Sequence, residues 1–333
     1  MIASPVFAIT MGDPAGIGPE ISVKALQSFK SQDFRLLVIG DVEVMRAAAS
    51  CCGSNVPILE VKTPDEAQLE GISVLSLNAI HPSDFKIGKV QANCGKAAFI
   101  YISEAIRLAL KGLIAGVITN PISKESLKSA GINYPGHTEI FAEQTNTEDY
   151  SMVFLLDKVA VAHVTTHCSL QQAIESISKE RVLSQIKLLN RSLKGLGMDP
   201  PRIAVGGLNP HAGENGLFGT EEIEHIAPAV KQAINEGINV SGPFPPDTVF
   251  MRAFKGEFNG VVSMLHDHGF VALKSRDFDK GVNITIGLPI IRTSVGHGTA
   301  FDKAGTGTAS PASLLSAIDA AWKLYQNRSF LIH

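Results

Sequence analysis

Short apolar runs rich in β-branched residues alternate with stretches of helical period along much of this chain, and that alternation carries the first structural expectation. Residues 5–10, 34–39, 56–61, 72–77 and 113–119 read as strands. Residues 21–29, 41–52 and 95–110 read as helices, and in the last of these Ala98, Ile102, Ile106 and Leu110 share one face. Gly18-Pro19-Glu20 reads as a helix start, with proline at the first position and an acid in the first turn. Strands alternating with helices predict a mostly parallel sheet with helices on both faces. In such sheets ligands lie beyond the carboxyl ends of the strands.

The middle of the chain has a different rhythm. Residues 152–156 and 159–165 flank Asp157-Lys158 and suggest a hairpin, although the pair lacks the glycine that favours tight turns. Residues 170–196 have helical period and divide into two helices near Lys179. Residues 202–208, 260–265 and 283–288 read as strands and 221–236 as a helix. Ser310-Pro311 supplies an N-cap and a first-position proline for a final helix through Asn327.

Composition narrows the class without naming it. The chain has 333 residues, 45% hydrophobic and 18% charged, which suits a globular protein of one large or two ordinary domains. A net charge of −3 without a Lys/Arg block argues against a nucleic-acid partner. Four cysteines without a CxxC pair point to a reduced, cytoplasmic setting. The N-terminal stretch lacks the basic region of a signal peptide. No apolar run approaches the roughly 18 residues of a membrane span, so no membrane partner is expected.

Candidate chemistry concentrates at strand ends. His167, His211 and His266 each follow an apolar, β-rich run, so each is expected in a loop at one edge of a sheet. Three neutral imidazoles suit zinc and similar ions and leave a coordination position open. His163 lies within a strand run and reads as structural, while His268, two residues after His266, is ambiguous. Lys274 and Arg292 are candidates for holding phosphate or carboxylate, Arg292 because it ends the apolar run GLPII and starts a small-residue loop, with Asn283 adding a directional amide. His137 and Thr138 offer neutral donors, although Thr138 could simply cap a helix beginning at Glu139. The segment from His266 to Gly307 packs most of these groups together with many glycines.

MGDPAGIGPE is neither a P-loop nor a GxGxxG fingerprint; by itself it supports a tight turn before a helix N-terminus. Asp302, in HGTAFDKAGTG, could accept hydrogen bonds from a ribose. On these residues a metal-dependent dehydrogenase, a zinc hydrolase and a non-catalytic phosphometabolite-binding protein all stay open.

The ordered set TMGDPAGIGPE, PGHTE, TTH, NPHAGENGLFGTEE, PFPPDTVF, HDHG, GVNITIGLPIIRTS and HGTAFDKAGTG resembles the 4-hydroxythreonine-4-phosphate dehydrogenase family of vitamin B6 synthesis, essentially end to end. Its first and last motifs also resemble segments of isopropylmalate and isocitrate dehydrogenases. The resemblance implies an α/β fold of two α/β/α domains with a cleft between them, and a homodimer. We expect residues 1–140 with 295–333 on the cofactor side, and 141–294 to carry metal, substrate and dimer contacts.

The resemblance further implies a metal on His167, His211 and His266, the last supplied by the partner subunit, with zinc preferred over magnesium or cobalt. It implies substrate contacts at His137, Thr138, Lys274, Asn283 and Arg292. NAD contacts are implied at Gly296, His297, Gly298, Thr299, Ala300 and Asp302. Asp247, Asp267 and Lys274 are the candidates for catalytic roles, either aspartate as the base or its orienting partner. The implied reaction is NAD-dependent oxidation of 4-phosphohydroxy-L-threonine with decarboxylation to 3-amino-2-oxopropyl phosphate. Relatives on this scaffold act on 4-phosphoerythronate, 4-phosphothreonate or dihydrodiol carboxylates. The family usually has Gln where His268 stands and Asp where Gly296 stands, so these two departures bear on substrate choice.

Overall fold

The computed structural model describes residues 4–277 and 280–331. They fall into two compact units, one within Met1–Glu148 and Leu288–Trp322, the other within Asp149–Gly287 and Lys323–His333.

The first unit is built on six strands in the order β3-β4-β2-β1-β5-β12. These are β1 (Val6–Thr10), β2 (Arg35–Gly40), β3 (Ile58–Val61), β4 (Ile72–Ser76), β5 (Gly116–Thr119) and β12 (Arg292–Val295), and every pairing among them is parallel. All five residues of β1 are buried, as a strand covered on both faces requires. The helices α1 (Gly18–Ser28), α2 (Val42–Cys51), α3 (Ala92–Leu110), α4 (Lys124–Ser129), α5 (His137–Gln144) and α11 (Ala312–Gln326) belong mainly to this unit. Leu37, Ile39, Met45, Tyr101, Ile102 and Phe141 join its core. Tyr101 donates to Asp41 at 2.5 Å, and Asp41 also accepts from the Ala79 and Ile80 amides, so this buried carboxylate is satisfied.

The second unit has the strand order β11-β6-β7-β10-β8-β9. Here β6 (Ser151–Leu156) and β7 (Val159–His163) form the expected antiparallel hairpin. Asp157 supplies the left-handed turn residue at φ 55°, doing what glycine would otherwise do. Strands β7, β10 (Gly260–Ser263), β8 (Ile203–Gly206) and β9 (Val240–Phe244) are parallel neighbours, and β11 (Val282–Ile286) pairs antiparallel with β6. The helices α6 (Leu170–Glu175) and α7 (Lys179–Gly195) divide where the periodicity places the break. A serine caps each: Ser169 accepts from the Gln172 amide and Ser178 from the Arg181 amide. The unit also contains α8 (Ala227–Asn235), α9 (Pro246–Phe254) and α10 (His266–Lys274). No helix among the described residues is long and apolar enough to cross a membrane.

Three local expectations change. The helix expected over 221–236 opens with a π turn, Glu222–Ile226, before α8. Pro228 has no amide hydrogen, and its ring crowds the carbonyl four residues back, so regular α geometry is interrupted there. Thr138 is not an N-cap, because α5 already begins at His137 behind Gly136. Arg292 does not open a loop: it is the first residue of β12, paired opposite Val117. The polar sequence RTSV hides this strand from hydropathy. Its hydroxyls are satisfied internally, Thr293 by Ala317 O at 2.9 Å and Ser294 by Thr119 O at 3.2 Å.

Candidate active site

In the first unit, the loops after β1, β5 and β12 leave the carboxyl ends of parallel neighbouring strands. The Asp13 amide donates to Pro121 O at 3.0 Å, binding the first two loops together. Gly12 sits so close to Pro121 that an added Cβ would lie 2.5 Å from its carbonyl oxygen, and its φ is +78°. Only glycine serves at that position.

Arg292 is 3% exposed. Its Nη2 donates to Thr119 Oγ1 at 2.8 Å, and its guanidinium lies over the Phe141 ring, 5.4 Å from the centroid. Burial pulls its pKa down to about 9, opposed by the charge of Glu139, and this leaves it a cation at neutral pH. His137 opens α5, and its Nε2 is shielded from solvent. Burial first, then the nearby Arg292 charge, push its pKa well below the ordinary value, against a hydrogen bond with the Asn120 backbone. His137 is therefore neutral at pH 7 and presents a dipole beside a fixed cation. Thr138 follows it in the first turn of α5, where helix amide groups face outward. The cluster suits an oxyanion: a buried guanidinium, a neutral ring and a helix N-terminus converge on it.

The expected dinucleotide loop, residues 296–302, follows β12 in the same unit. The Gly296 amide donates to Ser313 Oγ at 2.9 Å, and His297 Nδ1 lies 3.0 Å from Gly298 O. Gly298 faces open space, Ala300 has φ 42°, and Asp302 is exposed. Thr299 packs on Gly16, where a Cβ would meet the Thr299 Cβ and carbonyl oxygen at 3.1 Å. An open, glycine-bearing loop at a strand's carboxyl end with a free-standing carboxylate fits a dinucleotide's phosphates and ribose.

The second unit places His167, His211 and His266 just beyond β7, β8 and β10, which are adjacent parallel strands. The rings of His167 and His266 lie 5.8 Å apart. His266 Nδ1 is 2.7 Å from Asp267 Oδ1, an arrangement that fixes the tautomer and frees Nε2 for a metal. His211 stands in a run of five left-handed residues, His211–Asn215. Each non-glycine residue there costs about 1 kcal/mol. Glu222 compensates by accepting from the Leu208 and Asn209 amides, both at 2.8 Å, and from Asn209 Nδ2 at 2.9 Å. His211 remains 71% exposed and 3.6 Å from Glu214. Among the described residues no three metal-ligating side chains are gathered into one site. The donor type itself, three imidazoles on the loops after adjacent strands, suits a borderline divalent ion.

The remaining candidates in this unit are more dispersed. Lys274 ends α10 with its Nζ 4.8 Å from the Phe270 centroid. Asn283 lies on β11 opposite Phe154. Asp247 is exposed in the first turn of α9, and Asp267 is 81% exposed. His268 is half-buried, and burial lowers its pKa despite the Asp267 charge. His163, read as structural from its strand, is buried and stacked on Phe270 at 4.7 Å, with His266 6.2 Å away. Burial and the His266 charge lower its pKa to about 3. Gly269 is obligatory against it, since a Cβ there would lie 2.3 Å from His163 Nε2. Hydropathy could not reveal Thr119, Glu222 or His163 as supports of the candidate site. The polar ends of VIT and VAVAH were the available signal.

An all-parallel unit carrying a buried arginine and a mixed unit carrying strand-end histidines together define an α/β protein with the side chains of an enzyme. Residues 32–321 match the family described as Pyridoxal phosphate biosynthetic protein PdxA, and the chain belongs to that family. It is an oxidoreductase. A protein of Oceanobacillus iheyensis with the provisional name D-threonate 4-phosphate dehydrogenase is 47% identical over 330 residues, 97% of this chain and 99% of that protein. The crystal structure of a 4-hydroxythreonine-4-phosphate dehydrogenase from Klebsiella pneumoniae is 44% identical, with TM-score 0.87, covering 97% of this chain and 98% of its own. A β-decarboxylating dehydrogenase from Thermococcus kodakarensis shares the fold alone, at TM-score 0.51 and 12% identity over 95% of this chain and 81% of its own.

Proposed function

We propose that this enzyme oxidises the 3-hydroxyl of a four-carbon, 4-phosphorylated hydroxy acid, with NAD as acceptor and a divalent ion bound, and that the resulting β-keto acid loses its carboxylate as CO2. The observation that carries this reading is the buried Arg292 beside a neutral His137 that opens α5, a set of donors suited to a phosphate or carboxylate. The relatives' names, D-threonate 4-phosphate and 4-hydroxythreonine-4-phosphate dehydrogenase, support the phosphorylated hydroxy acid.

The residues divide the work between them. Arg292, His137 and Thr138 are the first unit's residues suited to an anionic group of the substrate, and Lys274 and Asn283 are the second unit's candidates for substrate contact. Gly296, His297, Gly298, Thr299, Ala300 and Asp302 receive NAD. His167, His211 and His266 would hold the metal, zinc by preference, which when bound supplies Lewis acidity to a chelated hydroxyl. Asp267 orients His266 through Nδ1, and Asp247 is the remaining candidate for taking up the hydroxyl proton. The first unit then carries the cofactor loop, and the second the metal ligands and the dimerisation surface.

A homodimer in the cytoplasm completes this reading. Support comes from exposed apolar side chains beside the candidate ligands. Leu170 follows His167 by three residues, Leu217 and Phe218 follow His211, and Val271 lies one turn beyond Asp267. A partner subunit would cover them and supply His266 to the site.

Among four-carbon acids, we favour D-threonate 4-phosphate, the substrate in the names of relatives 44–47% identical to this chain. The second reading is 4-phosphohydroxy-L-threonine, which differs in an amine at C2 and would link the enzyme to pyridoxine synthesis. NADH absorbance, read with each compound and with 4-phosphoerythronate after chelation and zinc or magnesium add-back, decides between them. D-threonate 4-phosphate should give the highest kcat/KM by at least about tenfold, a difference of about 1.4 kcal/mol in transition-state binding. No NADH from any phosphorylated hydroxy acid defeats the proposal.

A further inference from the structure

MGDPAGIGPE matches no phosphate-binding motif, yet it makes a dense set of bonds to the far end of the chain. Glu20, one turn into α1, is 4% exposed. Its Oε1 accepts from the Gly305 amide at 2.5 Å and its Oε2 from the Gly307 amide at 2.7 Å. Both glycines have positive φ, +81° and +67°, so the backbone is turned to present those amides. Lys24, one turn further along α1, donates through Nζ to Gly307 O at 2.8 Å and Ala309 O at 2.7 Å. The Ile17 amide donates to Thr299 O at 3.1 Å. Two opposite charges spaced i,i+4 on one helix thus grip a loop about 285 residues away in the chain, one by its amides and the other by its carbonyls. Each bond has one charged partner, which makes it stronger than a neutral one.

We propose that Glu20 and Lys24 are positioning residues for the dinucleotide, holding residues 299–309 in the conformation that receives it. The inference rests on the reading of 296–302 as the NAD loop. Neither side chain need touch the cofactor. Their effect is preorganisation: a loop already fixed loses less entropy on binding.

The test uses the full-length enzyme. Calorimetric binding of NAD to Lys24→Met should show a Kd raised about tenfold, since both charge-assisted hydrogen bonds from Nζ to the loop are lost. KM for NAD should rise with it, while KM for the hydroxy acid and the affinity for zinc stay at wild-type values. Lys24→Arg should recover most of the loss. In Glu20→Gln, hydrogen exchange at the Gly305 and Gly307 amides should quicken about tenfold through easier local opening. Unchanged NAD affinity in Lys24→Met overturns the proposal, as does an equal loss of NAD and zinc binding, which signals general damage. Wild-type enzyme that binds no dinucleotide refutes the cofactor reading itself, a result distinct from wild-type binding that Lys24→Met leaves untouched.

Discussion

In the first unit the charged residues Arg292 and Glu20 are buried and bonded to their surroundings, whereas in the second most candidate residues stand in solvent. Arg292 is held by Thr119 and covered by Phe141, and Glu20 and Lys24 fasten the loop that follows β12. His167, His211, Asp247, Asp267 and Lys274 are all exposed. The difference shows what each unit needs in order to work. A buried cation has already been desolvated by folding, so an anion arriving there gains the full electrostatic benefit. Exposed imidazoles on separate loops have not been organised by one chain's packing. On our proposal a metal and a second subunit organise them.

The strongest way to break this contrast is to remove the preorganised charge. Arg292→Met should lower kcat/KM about a thousandfold, since truncating one partner of a buried charged contact costs about 2–5 kcal/mol. Steady-state kinetics give the answer. A loss below about tenfold would mean that the first unit's buried charge serves the fold and not the substrate.

The contrast sharpens if the second unit's site is shared between subunits. Inactive His211→Ala and inactive His266→Ala proteins, mixed and allowed to exchange, should regain about a quarter of wild-type activity. Half the dimers would then be mixed, each with one intact site. No recovery, with exchange verified by mass spectrometry, would place both ligands on one chain.

The smallest effect concerns the neutral ring in the first unit. The folded-state pKa of His137 is depressed, so the unfolded chain binds more protons as pH falls below about 6.5. Stability is therefore fully present above that pH and is lost on acidification, by at most about 1.4 kcal/mol per pH unit for this group. His137→Asn should flatten the fall in urea midpoint between about pH 6.5 and 5. An unchanged slope would show that His137 is not buried in its neutral form.

Much of the fold was legible because local pattern and tertiary role agreed. The strand VFAIT is apolar throughout because both faces are covered, and the break between α6 and α7 is signalled by Ser178, which caps the second helix. The three histidines were legible as strand-end residues for the same reason: an apolar run followed by a polar loop marks a strand's end. Arg292 was misplaced because RTSV satisfies its polar groups through partners distant in sequence, which no local pattern records. The same holds for Glu222, whose carboxylate accepts from the amides of Asn209 and Leu208, thirteen and fourteen residues upstream and just before the left-handed turn.

By itself, the sequence determined the alternation of strands and helices, the family and the kinds of side chain available for chemistry. These follow from hydropathy, from glycine and proline placement and from motif order, all local along the chain. Only the tertiary structure decided how those groups behave. It made Arg292 a buried cation beside a neutral His137, brought His167 within 5.8 Å of His266, and turned the first glycine-rich stretch into a grip on the last. Burial and contacts between segments distant in the sequence set those properties, and they arise only when the chain has folded.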